Sequence, residues 1–335
     1  MIDASLPLVE LHRHLDGGVR LGTILELGLK HNLPLPAQDI EGLRPYVQVS
    51  GPTPGVMAFI ARFEWQVGVM VDTEAVRRIA YENVEDAKNE GLDYVELRFS
   101  PWFMAEPHQL DPAGVVEAVV EGVDAGQRDF GVKAGLIGIL SRTYGVEIAF
   151  KELAALLTQK SHIVALDLAG DEAHFPAEWF REHFRRARQA GWHATVHAGE
   201  IAGPESIWEA LRGLGAERIG HALTAGEDPS LLDFMLEHRI GVESCLTSNV
   251  QTSCVADYPS HPLRRFLEKG MLATINTDDP GISGIDLVYE YNAAAPKAGL
   301  SQEQVRQAQE NALEAAFLTE EKKKELLTTK NTKVH

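Results

Sequence analysis

The sequence predicts an α/β protein of the (β/α)8 TIM-barrel type with additional helices. Three observations lead to this fold class: eight short β-rich segments, helical patterns between most of them, and the mostly apolar composition of those segments. Short apolar strands that alternate with helices are typical of a parallel sheet covered on both faces. Eight units favour a closed barrel over a doubly wound sheet, which usually has fewer strands, and no GxGxxG follows the first strand.

The predicted strands are spread along most of the chain. They are residues 6–12, 93–99, 133–140, 163–168, 193–197, 217–221, 240–244 and 272–276. Among the helices between them, "PAGVVEAVVEGVDAGQRDF" and "PESIWEALRGLG" each carry a proline at or near the first turn. Proline suits this position because the N–H that it lacks has no partner inside the helix.

The chain is longer than the barrel requires. A barrel of this type needs about 250 residues, so part of the 335-residue chain must form insertions. The largest predicted insertion is residues 19–92, between strands one and two, where several helices are separated by prolines. No linker is evident, so residues 1–335 are predicted to form one barrel domain, with a polar, frayed C-terminal tail from about residue 319.

Composition excludes several classes of function. A formal net charge of −18 repels phosphate backbones and anionic lipids, so we expect no nucleic-acid partner and no membrane partner. Two cysteines, Cys245 and Cys254, are no disulfide framework, and neither a signal peptide nor a long apolar run is recognisable. We therefore expect a cytoplasmic protein; the sequence leaves its oligomeric state open and is compatible with a monomer.

Metal-ligating residue types occur where the predicted strands end, which is the edge of a barrel where active sites lie. Strand one ends in His12-x-His14, strand five in "VHAGE", strand six in "GHA" and strand eight in "NTDDPG". Side chains two apart on a strand share a face, so His12 and His14 both face the barrel axis while Arg13 points away. With His197 and Asp278 they provide three imidazoles and one carboxylate, a set suited to Zn²⁺.

Each motif also has a simpler explanation. A single histidine is more often a core or surface residue, "DDPG" is most simply a turn, and "HAGE" is compatible with a strand followed by a helix cap. The joint occurrence at four strand ends favours a metal site. Cys245 is predicted to be buried filler, and "SRTYG" at residues 141–145 is a candidate pocket lining. The histidines assigned to the surface are His31, His108, His162, His174, His183, His193, His238 and His261.

Eight motifs occur in order from residue 10 to past residue 280: "HRHLDG", "YVELRFSP", "SRTYG", "LDLAGDE", "HAGE", "ERIGHA", "ESCLTSN" and "NTDDPG". The set closely resembles the bacterial adenosine deaminase family, zinc (β/α)8 enzymes of the amidohydrolase superfamily. The sequence "GHAL" departs from the "GHG" of many relatives without replacing His221. The resemblance implies that His12, His14, His197 and Asp278 bind one zinc ion per chain.

The same resemblance implies further roles at the strand ends. Glu200 protonates N1 of the purine, and His221 orients the attacking water and is able to take its proton. Asp279 hydrogen-bonds N7, the backbone of Gly170 meets N3, and Asp16, together with the region of His14, touches the ribose. The implied reaction converts adenosine, or 2′-deoxyadenosine, into inosine or deoxyinosine and ammonia. It requires an activated water and a protonated ring nitrogen, for which zinc and a carboxylic acid are suited.

Other functions use related chemistry. Binuclear amidohydrolases bridge two metals with a modified lysine at the end of strand four, where this chain has "LDLAGDE". Zinc cytidine-type deaminases use HxE and PCxxC, and neither pattern occurs. Adenine deaminase is the nearest alternative, because it shares the barrel and metal set; the long insertion and Asp16 favour a nucleoside. A non-catalytic zinc-dependent purine sensor would need a lost acid or base, but Glu200 and His221 are both present.

Overall fold

The computed structural model describes residues 1–333, in which eight parallel strands form a barrel. Each strand is hydrogen-bonded to the next one in the sequence. The predicted fold class is confirmed, and every predicted strand is present with slightly different ends. The strands are β1 Val9–His14, β2 Tyr94–Phe99, β3 Lys133–Ser141, β4 Ile163–Ala169, β5 His193–Ala198, β6 Arg218–His221, β7 Gly241–Ser244 and β8 Ala273–Ile275.

The barrel closes between β1 and the residues that follow β8. The N–H of His14 donates to the carbonyl of Asp278 at 2.8 Å, and the N–H of Asp278 donates to the carbonyl of His12 at 2.9 Å. Backbone hydrogen bonds of the barrel wall therefore hold three of the predicted metal ligands side by side.

Helices surround the barrel, and the described residues contain eighteen α-helical segments. They are α1 Leu21–Lys30, α2 Ile40–Val47, α3 Val56–Ile60, α4 Phe63–Val67, α5 Thr73–Asn89, α6 Pro101–Ala105, α7 Pro112–Phe130, α8 Gly145–Leu157, α9 Arg181–Gln189, α10 Pro204–Glu209, α11 Pro229–Glu237, α12 Leu246–Gln251, α13 Leu263–Glu268, α14 Pro280–Ser283, α15 Leu287–Tyr289, α16 Ala295–Lys297, α17 Gln302–Ala315 and α18 Glu320–Lys333. Short 3₁₀ or π segments follow several of them. No helix within residues 1–333 has the length and apolar character needed to cross a bilayer.

The connection between β1 and β2 contains α1 to α5. Its last helix, α5, begins after Asp72, whose side chain accepts from the N–H of Ala75 at 2.8 Å. This aspartate cap satisfies one of the free N–H groups of the first turn. The α5 helix then packs on α7 against the outside of the barrel, whereas α3 and α4 supply apolar side chains to the cavity at the C-terminal ends of the strands.

The polar C-terminal segment is helical, which corrects the prediction of a frayed tail. Two leucines of α18, Leu326 and Leu327, pack against a buried cluster that includes Val9 and Leu11 of β1. In addition, the ammonium of Lys330 lies 2.7 Å from a carboxylate oxygen of Asp93. The segment is ordered because these few contacts anchor it to the barrel, although most of its residues are polar.

Candidate metal and active site

The ends of β1 and β5 and the turn after β8 bring the four predicted metal ligands together. Ligand atoms of His12, His14, His197 and Asp278 all lie within 4.8 Å of one another, and all four residues are buried. Asp278 adopts a left-handed backbone conformation with φ of 68°. Aspartate is among the few residues that adopt this conformation with little strain. The turn directs its carboxylate back toward the two histidines of β1.

Buried carboxylates determine the orientation of two of these imidazoles. Nδ1 of His12 lies 2.7 Å from Oε2 of Glu243, and Nδ1 of His197 lies 3.0 Å from Oδ2 of Asp167. A carboxylate accepts a hydrogen bond, so each Nδ1 carries the proton and each Nε2 has a free lone pair. Burial lowers the pKa of His197 to about 3, although Asp167 opposes the shift, so this ring is in the neutral form that binds metals.

The free lone pairs point at one another. Nε2 of His12 lies 3.1 Å from Oδ1 of Asp278 yet has no hydrogen-bond partner among the described residues, because both atoms are acceptors. Nε2 of His14 lies 3.3 Å from Nε2 of His197 and 3.3 Å from the same aspartate oxygen. For His12, whose ring proton is on Nδ1, two acceptors therefore face each other, which is repulsive unless a cation lies between them. These residues therefore fit a metal ion.

Electrostatics support the same interpretation. Burial lowers the pKa of His14, but the carboxylates of Asp279, Asp16 and Asp278 together raise it to about 9. The potential at this position is therefore strongly negative and favours a positive charge. A second group, in which His221 and Cys245 share Asp278, is less suited to a metal because burial raises the pKa of the Cys245 thiol well above its ordinary value.

A charged network supports the ligands from inside the barrel. Arg98 donates to Asp167 at 2.9 Å and to Glu243 at 2.7 Å, and Arg218 donates to Glu243 at 2.6 Å. Sequence reasoning missed these residues because the strands were taken as mostly apolar. The signal was the pair Glu96 and Arg98 in "YVELRF": two charges two residues apart share one face of a strand.

Glu200 lies in the loop after β5, with Oε2 3.7 Å from Nε2 of His221. Burial raises the pKa of the Glu200 carboxyl; His221 opposes this shift and Asp278 adds to it. A single buried carboxylate, that of Glu172, holds the loop by accepting from the backbone N–H groups of residues 199–202. The Glu200 carboxyl is thus held next to the metal ligands, with a pKa above its ordinary value.

His221 ends β6 in a left-handed conformation, with φ of 66°. Its Nδ1 lies 3.1 Å from Nδ2 of Asn249, and its Nε2 lies 4.0 Å from Oδ2 of Asp278. The same Oδ2 accepts from the hydroxyl of Ser248 at 2.7 Å. His221 therefore stands beside the metal ligands, with one nitrogen bonded to the protein and the other facing the site.

Two of the histidines assigned to the surface are buried instead. His261 is 3% exposed and bonds Asn249 at 3.1 Å, and His183 is 0% exposed and stacks on the ring of Phe150. Single-residue reasoning failed here because His183 lies on the polar helix α9 and His261 lies in a polar stretch just before α13. The other six are exposed or half-buried, and Cys245 is buried as predicted.

A cavity of about 260 Å³ lies above the metal ligands. Its polar wall includes the predicted residues Asp16, Gly170, Glu200, His221 and Asp279. Apolar side chains of α3, α4 and α6 also line it: Val56, Met57, Phe59, Ile60, Phe63 and Phe103. Ser141, Thr143 and Tyr144 of "SRTYG" also line it, as the sequence indicated. The cavity combines an apolar cover with a polar floor, which is typical of a small-molecule site.

Three of the wall residues present groups to this space. Oδ2 of Asp16 accepts from the N–H of Ser100 at 3.1 Å, whereas its Oδ1 lies 3.5 Å from Nδ1 of His14 and has no hydrogen-bond partner among residues 1–333. Oδ1 of Asp279 is also unpartnered, and burial together with the charge of Asp278 raises the pKa of Asp279 well above its ordinary value. Gly170 has φ of 110°, a conformation that side chains disfavour, so its backbone borders the cavity directly.

Known proteins resemble this chain over nearly its whole length. The family described as "Adenosine deaminase" matches residues 7–332. Adenosine deaminases of Klebsiella pneumoniae subsp. pneumoniae and Vibrio cholerae serotype O1 are each 60% identical over 327 residues, which cover 98% of this chain and 98% of theirs. A solved adenine deaminase from Arthrobacter aurescens has a TM-score of 0.90 at 25% identity, covering 98% of this chain and 99% of that one. The chain therefore belongs to the adenosine deaminase family.

Proposed function

We propose that the protein catalyses the hydrolytic deamination of adenosine, and of 2′-deoxyadenosine, to inosine or deoxyinosine and ammonia. One observation carries the proposal: a buried cluster of three histidines and an aspartate shares a cavity with Glu200 and His221. The relatives named adenosine deaminase support the choice of reaction, since their similarity extends over nearly the whole chain.

We assign the metal as one Zn²⁺ per chain, held by His12, His14, His197 and Asp278. Neutral imidazoles and a carboxylate are ligands that zinc prefers, and buried carboxylates orient two of the imidazoles. When bound, zinc makes water a nucleophile at neutral pH by lowering its pKa from about 15.7 toward about 7. A second metal would need a bridging lysine at the end of β4, and this strand, IVALDLA, contains none.

Side chains of the cavity wall act on the purine. Glu200, whose raised pKa favours the protonated acid, donates its proton to N1 and makes C6 more electrophilic. Asp279, whose Oδ1 is unpartnered at the cavity wall, hydrogen-bonds N7, while the backbone of Gly170 approaches N3. Apolar side chains that line the same cavity, among them Phe59 and Phe63, offer the ring a nonpolar surface.

The proposal of a nucleoside substrate depends on Asp16, two residues beyond His14 in the chain. Its Oδ1 is buried, borders the cavity and lies 3.5 Å from Nδ1 of His14, with no hydrogen-bond partner among the described residues. A ribose hydroxyl would satisfy this oxygen, whereas free adenine has no group to reach it. A site built for a hydroxyl discriminates against a ligand that lacks one, because its own polar group then stays unpaired.

The test compares kcat/KM for adenosine and adenine in wild type and in Asp16→Ala. We expect wild type to prefer adenosine, and Asp16→Ala to weaken adenosine turnover by about 1–3 kcal/mol, the value of a hydrogen bond to a charged group. Asp171→Ala is the matched control, because the Asp171 carboxylate lies at the same cavity but is already bonded to His174. A preference for adenine would identify an adenine deaminase; unchanged adenosine turnover in Asp16→Ala would remove this reason for the nucleoside.

A further inference from the structure

The imidazole of His221 can act on the attacking water in two ways, as a hydrogen-bond donor or as a base, and the position of its proton decides between them. We propose that His261 and Asn249 are positioning residues that hold His221 as the tautomer with its proton on Nε2. In this state His221 donates a hydrogen bond to the water and does not take its proton. The hydrogen bond from His221 to the attacking water rests on the proposed function, whereas the assignment of the His221 tautomer does not.

The argument begins at a backbone N–H, which can only donate. Leu263 is the first residue of α13, where N–H groups have no partner within the helix. Its N–H donates to Nδ1 of His261 at 3.1 Å, so this nitrogen carries a lone pair. An imidazole with a bare Nδ1 is necessarily neutral. The single ring proton of His261 must therefore be on Nε2.

That proton determines the orientation of the next side chain. Nε2 of His261 lies 3.1 Å from Oδ1 of Asn249, which accepts the hydrogen bond. The amide nitrogen of Asn249 consequently faces His221, at 3.1 Å from Nδ1. An amide NH2 has no lone pair to offer, so Nδ1 of His221 is the acceptor and the proton of the neutral ring is on Nε2.

Burial makes this chain of bonds effective. Asn249 is 0% exposed, His221 1% and His261 3%, so bulk water does not compete for the three side chains. The protonated Nε2 of His221 is directed at the site, 3.7 Å from Glu200 and 4.0 Å from Asp278. It is placed to orient a water by donation and to stabilise negative charge that develops on the oxygen.

A ring nitrogen that already carries a proton cannot accept another, because its lone pair is part of the aromatic π system. The expectation that His221 takes the proton of the water is therefore replaced by a donor role. The side chains nearest to Nε2 are Glu200 at 3.7 Å and Asp278 at 4.0 Å, both too far for a direct hydrogen bond, which leaves the proton on Nε2 free for a water.

The direct test is the tautomer itself. Zinc-loaded protein containing ¹⁵N-histidine is studied by long-range ¹H–¹⁵N correlation, and the signals of His221 are identified by their loss in His221→Gln. We expect a protonated Nε2 and a bare Nδ1. A proton on Nδ1, or on both nitrogens, overturns the proposal whether or not the protein deaminates adenosine.

A pair of variants at His261 tests the relay without touching the site. Glutamine offers one acceptor and one donor, as the neutral imidazole does, whereas leucine offers neither. We expect His261→Leu to give mixed tautomers of His221 and to lower kcat for adenosine by about 10–100-fold, the usual cost of losing such a supporting partner, with unchanged KM and zinc content. His261→Gln should retain a kcat at least about tenfold above that of His261→Leu.

A buried asparagine elsewhere provides the control for general damage to packing. Asn311 donates to the backbone carbonyls of Met271 and Ala273 at the start of β8, the end of the strand opposite to the one that leads to Asp278. Asn311→Leu should lower thermal stability and leave kcat unaltered. Two outcomes would show that the hydrogen bonds from His261 through Asn249 do not position His221. One is an equal reduction of kcat in both His261 variants, and the other is an unchanged kcat in both with an unchanged tautomer of His221.

Discussion

Replacement of Glu243 by glutamine tests how the barrel interior controls the metal ligands. The carboxylate lies at the centre of the charged network and accepts four hydrogen bonds, two at each oxygen. Oε2 accepts from His12 at 2.7 Å and Arg98 at 2.7 Å; Oε1 accepts from Arg218 at 2.6 Å and Thr195 at 2.9 Å. Although burial raises the pKa of Glu243, Arg98 and Arg218 hold it well below its ordinary value, so the group is ionised.

Glutamine keeps the size of the side chain but places an NH2 group at one of the two oxygen positions. At the Oε2 position this NH2 faces Nδ1 of His12, which then has to accept, so the ring proton moves to Nε2. A proton on Nε2 blocks the lone pair that points at the metal. We therefore expect Glu243→Gln to weaken metal binding by about 10–100-fold, or about 1.4–2.7 kcal/mol.

The same change removes a buried negative charge between two guanidinium groups. Arg98 keeps Asp167 and Arg218 keeps Glu96, but each loses one of its two carboxylates. Removal of one partner from a buried ion pair typically costs about 3–5 kcal/mol. The free energy of unfolding of metal-free Glu243→Gln, measured with urea, should therefore be lower than that of wild type by this amount.

Glu96→Gln is the matched control. Glu96 is as buried as Glu243 and also pairs with Arg218, but it contacts no metal ligand. It should lose comparable stability and keep wild-type metal affinity. Chelator competition measures the affinity, and urea unfolding of the metal-free proteins measures the stability. Equal losses of affinity in the two variants, or wild-type affinity in Glu243→Gln, would refute the role of the network in setting the His12 tautomer.

Three further predictions follow from the site and its surroundings. Elemental analysis should find about one zinc per chain, reduced in His12→Ala and Asp278→Ala; two metals per chain, or none at full activity, would contradict the assignment. Glu200→Gln should retain zinc while kcat falls by at least about 10², and near-normal turnover would show that Glu200 is not the acid. Burial raises the pKa of Glu290 to about 8, opposed by hydrogen bonds from Thr247. Its contribution to the free energy of unfolding is therefore complete below the unfolded-state pKa and is lost as pH rises through about 8. In urea unfolding, the free energy of unfolding of wild type should fall by about 2 kcal/mol relative to that of Glu290→Gln between about pH 6 and pH 8. Parallel pH profiles for the two proteins would show that Glu290 is not the cause.

Prediction from the sequence succeeded where the signal is local. Strand positions follow from short apolar runs between helical patterns, and eight of them in order indicate the barrel. Because all strands of such a barrel are parallel, their C-terminal ends meet at one edge, and this alone groups His12, His14, His197 and Asp278. The sequence also indicated the long helical connection after β1, although not that α3 and α4 supply the apolar cover of the cavity.

Prediction failed where a residue's role depends on distant partners. His261 lies in a polar stretch and was assigned to the surface, yet the fold places it against Asn249, behind His221. The C-terminal segment reads as frayed because its composition is polar, and only its contact with β1 makes α18 a packed helix. Neither the burial of His261 nor the packing of α18 has a local signal in the sequence, because each depends on contacts with residues that are distant in the chain.

The sequence by itself therefore determined the fold class, the edge of the barrel that carries the site and the metal ligands expected there, because strand period and strand order are properties of neighbouring residues. Only the tertiary structure decided which nitrogen of each imidazole faces the site. That choice depends on the carboxylate or amide opposite the ring, and Glu243 is 231 residues from His12 in the chain. Proton positions in a buried site are set by such contacts between distant residues, and no local pattern encodes them.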